Sequence, residues 1–325
     1  MKRVIDAMAG EGQALMQAAQ AVGGAIDFDP QMALSRDAIL NLQAPSLWSP
    51  NGHCRLVEAQ DGWLAVNLAR EDDRQTVPAW IGSALEDEPW DAVITGSRQE
   101  ECATIIERAI LLHLPVAKVG EAAPAPAPIL HKAAPRVAPL KVLDLSALWA
   151  GPYCGGLLAE AGLVVTKVDA PSRIDPTARN TPQLDERLNG LKRRCSLSFE
   201  SSAFAKMLNE ADVLITSGRP HALARLGLNE TTMFMRNPNL LWIAITAQGW
   251  RGDAAMRVGF GDDTAAAGGL IGWAGNNPHF LGDALADPIT GLRAATLALE
   301  AIARGETGLI DVALAPTAAR FAALL

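Results

Sequence analysis

Between residues 141 and 246 the chain carries four short runs, KVLDL, LVVTKV, DVLIT and LLWIAIT, that are apolar almost without alternation. A strand with one wet face alternates apolar and polar residues, so an unbroken apolar run of this length belongs to a strand covered on both faces. Sheets covered on both faces are characteristically parallel, and the helical crossovers between their strands do the covering. Helical stretches lie where such crossovers need them. GPYCGGLLAEAG closes on Gly162 before LVVTKVDAP, and HALARLGL separates DVLIT from LLWIAIT. A strand, helix and strand within about 30 residues is the unit of a right-handed parallel crossover. The predicted fold class is therefore α/β, with a doubly wound, Rossmann-like parallel sheet over residues 140–325.

The rest of the chain reads differently. Residues 1–24 are rich in Ala and Gln with Val4, Ala7, Met8 and Leu15 at helical spacing, which predicts a helix without visible chemistry. In RLVEAQDGWLAVNLA two β-prone runs flank Asp61-Gly62, a dipeptide suited to a tight hairpin. REDDRQTVPAWIGSAL reads as a helix with an acidic first turn, WDAVITG fits helix or strand, and RQEECATIIERAILLHL is an amphipathic helix leading into the apolar PVAKVG. Residues 1–120 are thus expected to form a smaller α+β domain. Residues 121–139, rich in Ala and Pro, lack many backbone donors and favour extended conformation, which makes them the expected linker. Beyond Gly249 come the Gly- and Ala-rich stretch GFGDDTAAAGGLIGWAG, a long helix from about Pro288 to Arg304, and a last strand, GLIDVAL.

Charge and cysteine usage narrow the partners. With 28 Lys and Arg against 36 Asp and Glu, the net charge of -8 argues against a nucleic acid or an anionic membrane surface as the main partner. Cys54, Cys102, Cys154 and Cys195 are scattered without zinc or redox spacing and read as reduced thiols of a cytoplasmic protein. The apolar run in MKRVIDAMAGEG is too short for a signal peptide or a membrane span.

One enzymatic reading of the α/β half is a nicotinamide- or S-adenosylmethionine-binding domain, since Asp169 ends the second strand where an acid often meets a ribose. Its glycines speak against it. Gly151, Gly155 and Gly156 in GPYCGG lack the G-x-G-x-x-G spacing, and Pro152 removes a backbone donor where a phosphate would need one.

Five ordered blocks carry a more specific signal. VLDLSALWAGPYCGGLLAEAGLVVTKVDAP, LNGLKRRCSLSF, ADVLITSGRPHALARLGL, NPNLLWIAITAQGWRGD and ALADPITGLRAATLALEAIARGETGLIDVAL resemble, in register, the CoA-transferase family III over about 185 residues. The resemblance implies a transfer of coenzyme A between an acyl-CoA and a small carboxylic acid, with no tightly bound cofactor, by an interlocked homodimer. It matches Asp287, in Ala-Asp-Pro-Ile-Thr-Gly, to the acyl-carrying aspartate. A carboxylate can attack a thioester to give a mixed anhydride and then a CoA thioester of itself. An Asp before Pro at a helix start is also an ordinary N-cap, and a helix N-terminus favours negative charge beside it.

The same resemblance lays the CoA nucleotide against Leu148, Trp149 and Ala150, although Trp149 also suits a core. It matches Lys192 and Arg225 to cations near the CoA phosphates, with Arg193 and Arg194 as solvated neighbours. Ser217 and Gly218 stand where the family commonly has Asn and an aromatic, so the position carries over and the side-chain contacts do not. Asp169 either approaches the adenosine ribose or ends a strand. Members of the family usually begin with the α/β block, whereas here Cys54 to Val119 resembles the later domain moved in front, as in a circularly permuted or rearranged member.

Two departures bear on mechanism. Phe260 stands where transferases often have Tyr and racemases His, and a phenyl ring cannot exchange a proton at the α-carbon, which weakens a racemase reading. Asp262 and Asp263 read first as loop acids. Asn51-Gly52, before His53, is the one candidate remnant of a Gly-rich loop over the aspartate, with His53 as an ordinary surface histidine. The competing classes are a non-catalytic acyl-CoA-binding homologue and, more distantly, an NAD-dependent oxidoreductase.

Overall fold

The computed structural model describes residues 1–325 except 86, 135, 137 and 173. Its large sheet has six parallel strands: Lys141–Asp144, Val164–Asp169, Arg193–Ser196, Val213–Thr216, Leu241–Thr246 and Glu306–Ala313. Numbered along the chain from one to six, they stand side by side as 3-2-1-4-5-6. The winding therefore reverses between strand one, Lys141–Asp144, and strand four, Val213–Thr216, which are direct neighbours.

The apolar runs behave as strands covered twice. Along Leu241–Thr246 every residue is buried. Leu241, Ile243 and Ile245 enter one core, and Trp242 and Ala244 the other. The first core is closed by the helices Lys2–Ala21, Ala150–Glu160 and Ala286–Ala303, the second by Ser202–Glu210, Pro220–Arg225 and Glu230–Arg236. Each fully buried Leu or Ile contributes about 1.5–3 kcal/mol, so a strand feeding both cores is strongly fixed in register.

A second sheet is antiparallel, Cys54–Ala59 to Gly62–Asn67 to Val116–Lys118, and packs on the helices Glu71–Ile81, Pro89–Ser97 and Cys102–Leu111. The hairpin lies one residue earlier than Asp61-Gly62 suggests: Gln60 and Asp61 form the loop and Gly62 pairs with Ala59. WDAVITG is helical, because Glu88 accepts the Trp90 and Asp91 amides and Pro89 starts the first turn. The other face of the small sheet, through Cys54, Leu56 and Ala65, meets Ala266, Ile271 and Phe280 from beyond the large sheet's fifth strand.

Two segments join the large half more closely than composition suggests. Val4, Met8 and Leu15 of the N-terminal helix enter its first core. Within the Ala/Pro stretch, His131–Lys132 pairs antiparallel with Thr307 and Glu306 and extends the sheet at its open edge. No helix among the described residues is long and apolar enough to cross a membrane.

Candidate active site

The carboxyl ends of the parallel strands open on a cleft of about 430 Å³. Its walls include the turns that leave strands one and four, Ala147 to Gly151 on one side and Ser217 to Pro220 on the other. They diverge because the crossovers run in opposite directions, the situation that leaves a crevice in a doubly wound sheet. The Ala147 N–H donates to Ser217 Oγ at 2.9 Å and ties the two turns together. Leu148, Ala150, Ser217 and Gly218 line this cleft.

Leu148 has a φ of 71°, a left-handed conformation that costs a side-chain-bearing residue about 1–3 kcal/mol. Buried partners hold it there. Its N–H lies 3.3 Å from both carboxylate oxygens of Asp175, which is paired at 3.1 Å with the buried Lys167. Lys167 also donates to Ser146 O at 2.7 Å. The turn is fixed from below, and the Leu148 side chain is left 42% exposed at the cleft.

Lys192 lies beneath the turn rather than at the cleft. Its side chain is fully buried, and it donates to Asp144 Oδ2 at 2.7 Å, Pro152 O at 2.6 Å and Asn189 Oδ1 at 2.8 Å. An ammonium has three N–H groups, so none is left for a phosphate. Burial pushes the Asp144 carboxyl up, but the Lys192 and Lys167 ammoniums outweigh it and hold Asp144 below the usual range. Arg225 is exposed and stands outside the cleft wall, as does Asp169, which ends the second strand 3.8 Å from Lys167 Nζ. The guanidinium-bearing residues that do line the cleft are Arg70, Arg219 and Arg257. Arg219 lies within a matched block, whereas Arg70 comes from the small sheet's flank and Arg257 from just before the Gly-rich stretch, both outside the matched blocks.

Asp287 occupies the second position of the helix Ala286–Ala303, with Leu285 at the cap, so it is not the N-cap that Asp-Pro suggests. In the first turn it still lies in the favourable field of the helix dipole. The residue is half-buried and lines the cleft. Burial raises its proton affinity, Arg36 lowers it, and Asp262 and Asp283 raise it again; the balance pushes the carboxyl up to about 7.

Arg36 and Asn51 tie the surrounding acids together. Arg36 pairs with both oxygens of Asp283, at 2.7 and 2.9 Å, and its guanidinium sits 4.5 Å over the Trp149 ring. Asn51 Nδ2 donates at 2.7 Å to Asp262 and to Asp283 alike, and the Ala284 N–H donates to Asp262 at 2.7 Å. Asp262 and Asp263 are not loop acids: they open the buried helix Gly261–Ala267, whose Gly- and Ala-rich composition concealed it. Burial pushes Asp262 up to about 6 and Asp263 to about 8, and Asp263 Oδ2 has no hydrogen-bond partner among the described residues.

A second cavity, about 360 Å³, meets the first at Arg70, Leu148, Phe260 and Asp287. Arg36, Asn51, His53, Asn67, Trp149 and Thr177 are among its other walls. Trp149 thus belongs to this chamber, although it is also a buried core aromatic. Among the described residues no group of three or more His, Cys, Asp or Glu side chains is arranged to hold a metal ion.

A strained turn at the switch point of a parallel sheet, facing a carboxylate in a helix's first turn, defines a class of α/β protein with a cleft built around one acid. The chain belongs to the CoA-transferase family III, whose profile it matches over residues 138–324. It is 30% identical over 195 residues to an acyl-CoA transferase of Fusarium pseudograminearum, covering 52% of this chain and 42% of that protein. It is 29% identical to the succinyl-CoA–D-citramalate CoA-transferase of Chloroflexus aurantiacus over 185 residues, 50% of this chain and 44% of the other. With the succinate–glutarate CoA-transferase of Agrobacterium fabrum it shares 26% identity over 55% of this chain and 51% of the other. Among solved structures, the hypothetical protein Rv3272 from Mycobacterium tuberculosis superposes with a TM-score of 0.52 at 27% identity, covering 57% of this chain and 56% of that one. The chain spans about half the length of the curated relatives it matches.

Proposed function

We propose that this protein transfers coenzyme A between an acyl-CoA and a carboxylic acid, with Asp287 as the nucleophile. The observation that carries the reading is the position of the Asp287 carboxylate where two cavities meet, one at the switch point of the sheet and one behind it. A thioester seated there has its CoA portion in the first cavity and its acyl portion in the second. The Asp287 carboxylate attacks the thioester carbonyl and expels CoA thiolate, leaving a mixed anhydride. The thiolate attacks the aspartyl carbonyl of that anhydride, which releases the first carboxylate and leaves an aspartyl-CoA thioester. The acceptor carboxylate then attacks this thioester, and the freed thiolate attacks the acceptor's carbonyl, regenerating Asp287 and a new acyl-CoA. Each step replaces one difficult transfer by an easier one.

The doubly wound strand order supports seating the nucleotide between Leu148 and Gly218, and Arg219 and Arg257 are the cations of the wall nearest its phosphates in that reading, with Arg257 also paired to Glu121 at 2.6 Å. The relatives named above and the family match support the reaction class. In this reading the small antiparallel unit is the family's later domain carried in front of residue 138, and the working form is a cytoplasmic homodimer. A racemase reading lacks a proton-exchanging side chain at Phe260.

The test is a trap. Incubation with acyl-CoA followed by hydroxylamine or borohydride modifies Asp287, as mass spectrometry of the peptide containing it reads directly, and an Asp287→Asn variant stays unmodified. A protein that binds CoA calorimetrically but is never modified is a non-catalytic homologue; one that binds NAD and not CoA is neither.

A further inference from the structure

Resting on that reading, we infer that Arg70 is a further catalytic residue, whose guanidinium donates to the oxygen that turns negative when Asp287 attacks the thioester. Four residues line both cavities: Arg70, Leu148, Phe260 and Asp287. The reacting carbonyl stands among them, since the CoA portion lies to one side and the acyl portion to the other. As the bond to Asp287 forms, the carbonyl's π electrons move onto its oxygen. They return as the C–S bond breaks and CoA thiolate leaves. A donor fixed beforehand beside that oxygen lowers the barrier, and no proton needs to be exchanged with it.

The donors of these four residues can be counted. The Leu148 N–H is held by Asp175, the Phe260 N–H by Asp263 Oδ1 at 2.9 Å and the Asp287 N–H by Ala284 O at 2.9 Å. The Arg70 N–H lies 3.3 Å from Asp73 Oδ2. All four backbone amides are therefore engaged within the protein. The Arg70 guanidinium is engaged only in part. Of its five N–H groups, the one on Nε and one on Nη2 meet the two oxygens of Asp73, and Nη2 also donates to His113 O at 3.1 Å. Neither hydrogen of Nη1 has a hydrogen-bond partner among the described residues. The bonds on the other two nitrogens hold the group in place, with its central carbon 5.6 Å from the centre of the Phe260 ring.

Other cations are less suited to the task. Arg219 and Arg257 line the first cavity alone, where a phosphate would meet them, and Arg36 lines the second alone. Arg36 is gripped through two nitrogens by Asp283 and also faces Asp262 and Asp287, so three carboxylates share its charge. Arg70 answers to one, Asp73, which lines neither cavity. The remaining side chains where the cavities meet, Leu148 and Phe260, are apolar, and a charge-assisted hydrogen bond is stronger in such surroundings than in water.

The experiment measures single-turnover trapping of Asp287, using whichever of acetyl-, butyryl- and succinyl-CoA labels the parent fastest, beside calorimetric affinity for CoA and a thermal melt. Arg70→Gln is expected to slow trapping by about 100-fold, the usual loss on removing one oxyanion donor, while CoA affinity is unchanged. Arg70→Lys, which keeps a charge, is expected to lose less. Added methylguanidinium is expected to restore part of the rate to Arg70→Ala and none to the parent, a rescue that a merely structural role would not show. A CoA affinity that falls in step with the rate would make Arg70 a phosphate ligand. A lower melting temperature with an unaltered rate in the folded protein would make it only the partner of Asp73. Either result overturns the inference while the parent's Asp287 is still trapped. If none of the three esters modifies the parent, the transferase reading fails and takes this one with it.

Discussion

The α-carbon of Gly261 lies against the carboxylate of Asp287 so closely that an ideal β-carbon at 261 would stand 2.3 Å from Asp287 Oδ2 and 2.6 Å from Ala284 O. Contact that tight means position 261 sets where the Asp287 oxygens can be. Gly261→Ala is expected to displace the carboxylate and lower the CoA-transfer rate by about 100-fold, the effect of an ångström of misplacement at a reacting group. Overpacking adds a stability loss of about 1–3 kcal/mol. Initial rates at saturating acyl-CoA, read beside a thermal melt, check both; a variant that melts lower with full activity contradicts the role given to the contact.

Burial raises the proton affinity of Asp287, and Arg36 is the charge that opposes it. Only the ionised carboxylate attacks a thioester, so kcat/KM is expected to rise with pH through about 7, where burial and the Asp262 and Asp283 charges hold the group against the pull of Arg36. Arg36→Gln removes the charge that lowers this value, and the rising limb is expected to move to higher pH, with Arg36→Lys moving it less. Pre-steady-state acylation measured from pH 5 to 9 follows the limb directly.

Much of the scaffold was legible in the letters, and much of the site was not. Continuous apolar runs announced the parallel strands because both faces of each are covered, as Leu241–Thr246 shows. The block alone singled out Asp287, which lines the cleft. No block could single out Arg36, Asn51 or Arg70, since each reaches the site by a long-range contact from the half outside the matched blocks: Arg36 to Asp283 and Asn51 to Asp262 span more than 200 positions. Lys192 shows the reverse error. Its neighbours Arg193 and Arg194 are exposed, as a charge run usually is, yet the first residue of the run turns inward to Asp144. Sequence spacing does not tell which way such a side chain turns.

That inward turn makes a prediction about Lys192. Replacing one member of a buried ion pair leaves the other charge uncompensated, at a cost of about 3–5 kcal/mol. Lys192→Met is therefore expected to lower stability by that amount, whereas the folded fraction at low temperature keeps an affinity for CoA within a few-fold of the parent. A phosphate-binding lysine would give the opposite pattern, a large loss in CoA affinity and an unchanged urea midpoint.

Asp263 supplies a pH dependence of stability whose sign is fixed by its burial. Its carboxyl is pushed up to about 8 by burial, outweighing hydrogen bonds from the Phe260 amide and Asn67, while in the unfolded chain it titrates near 4. Between those values the folded state binds the extra proton, so stability falls as pH rises from about 4 to about 8. Asp263→Asn keeps an acceptor for the Phe260 N–H, made at 2.9 Å, without an ionisable group. The variant is expected to gain on the parent by a few kcal/mol on going from pH 5 to pH 8, as urea unfolding at both values measures; parallel losses in the two proteins would mean that Asp263 is ionised when folded and that the orphaned Oδ2 has found a partner.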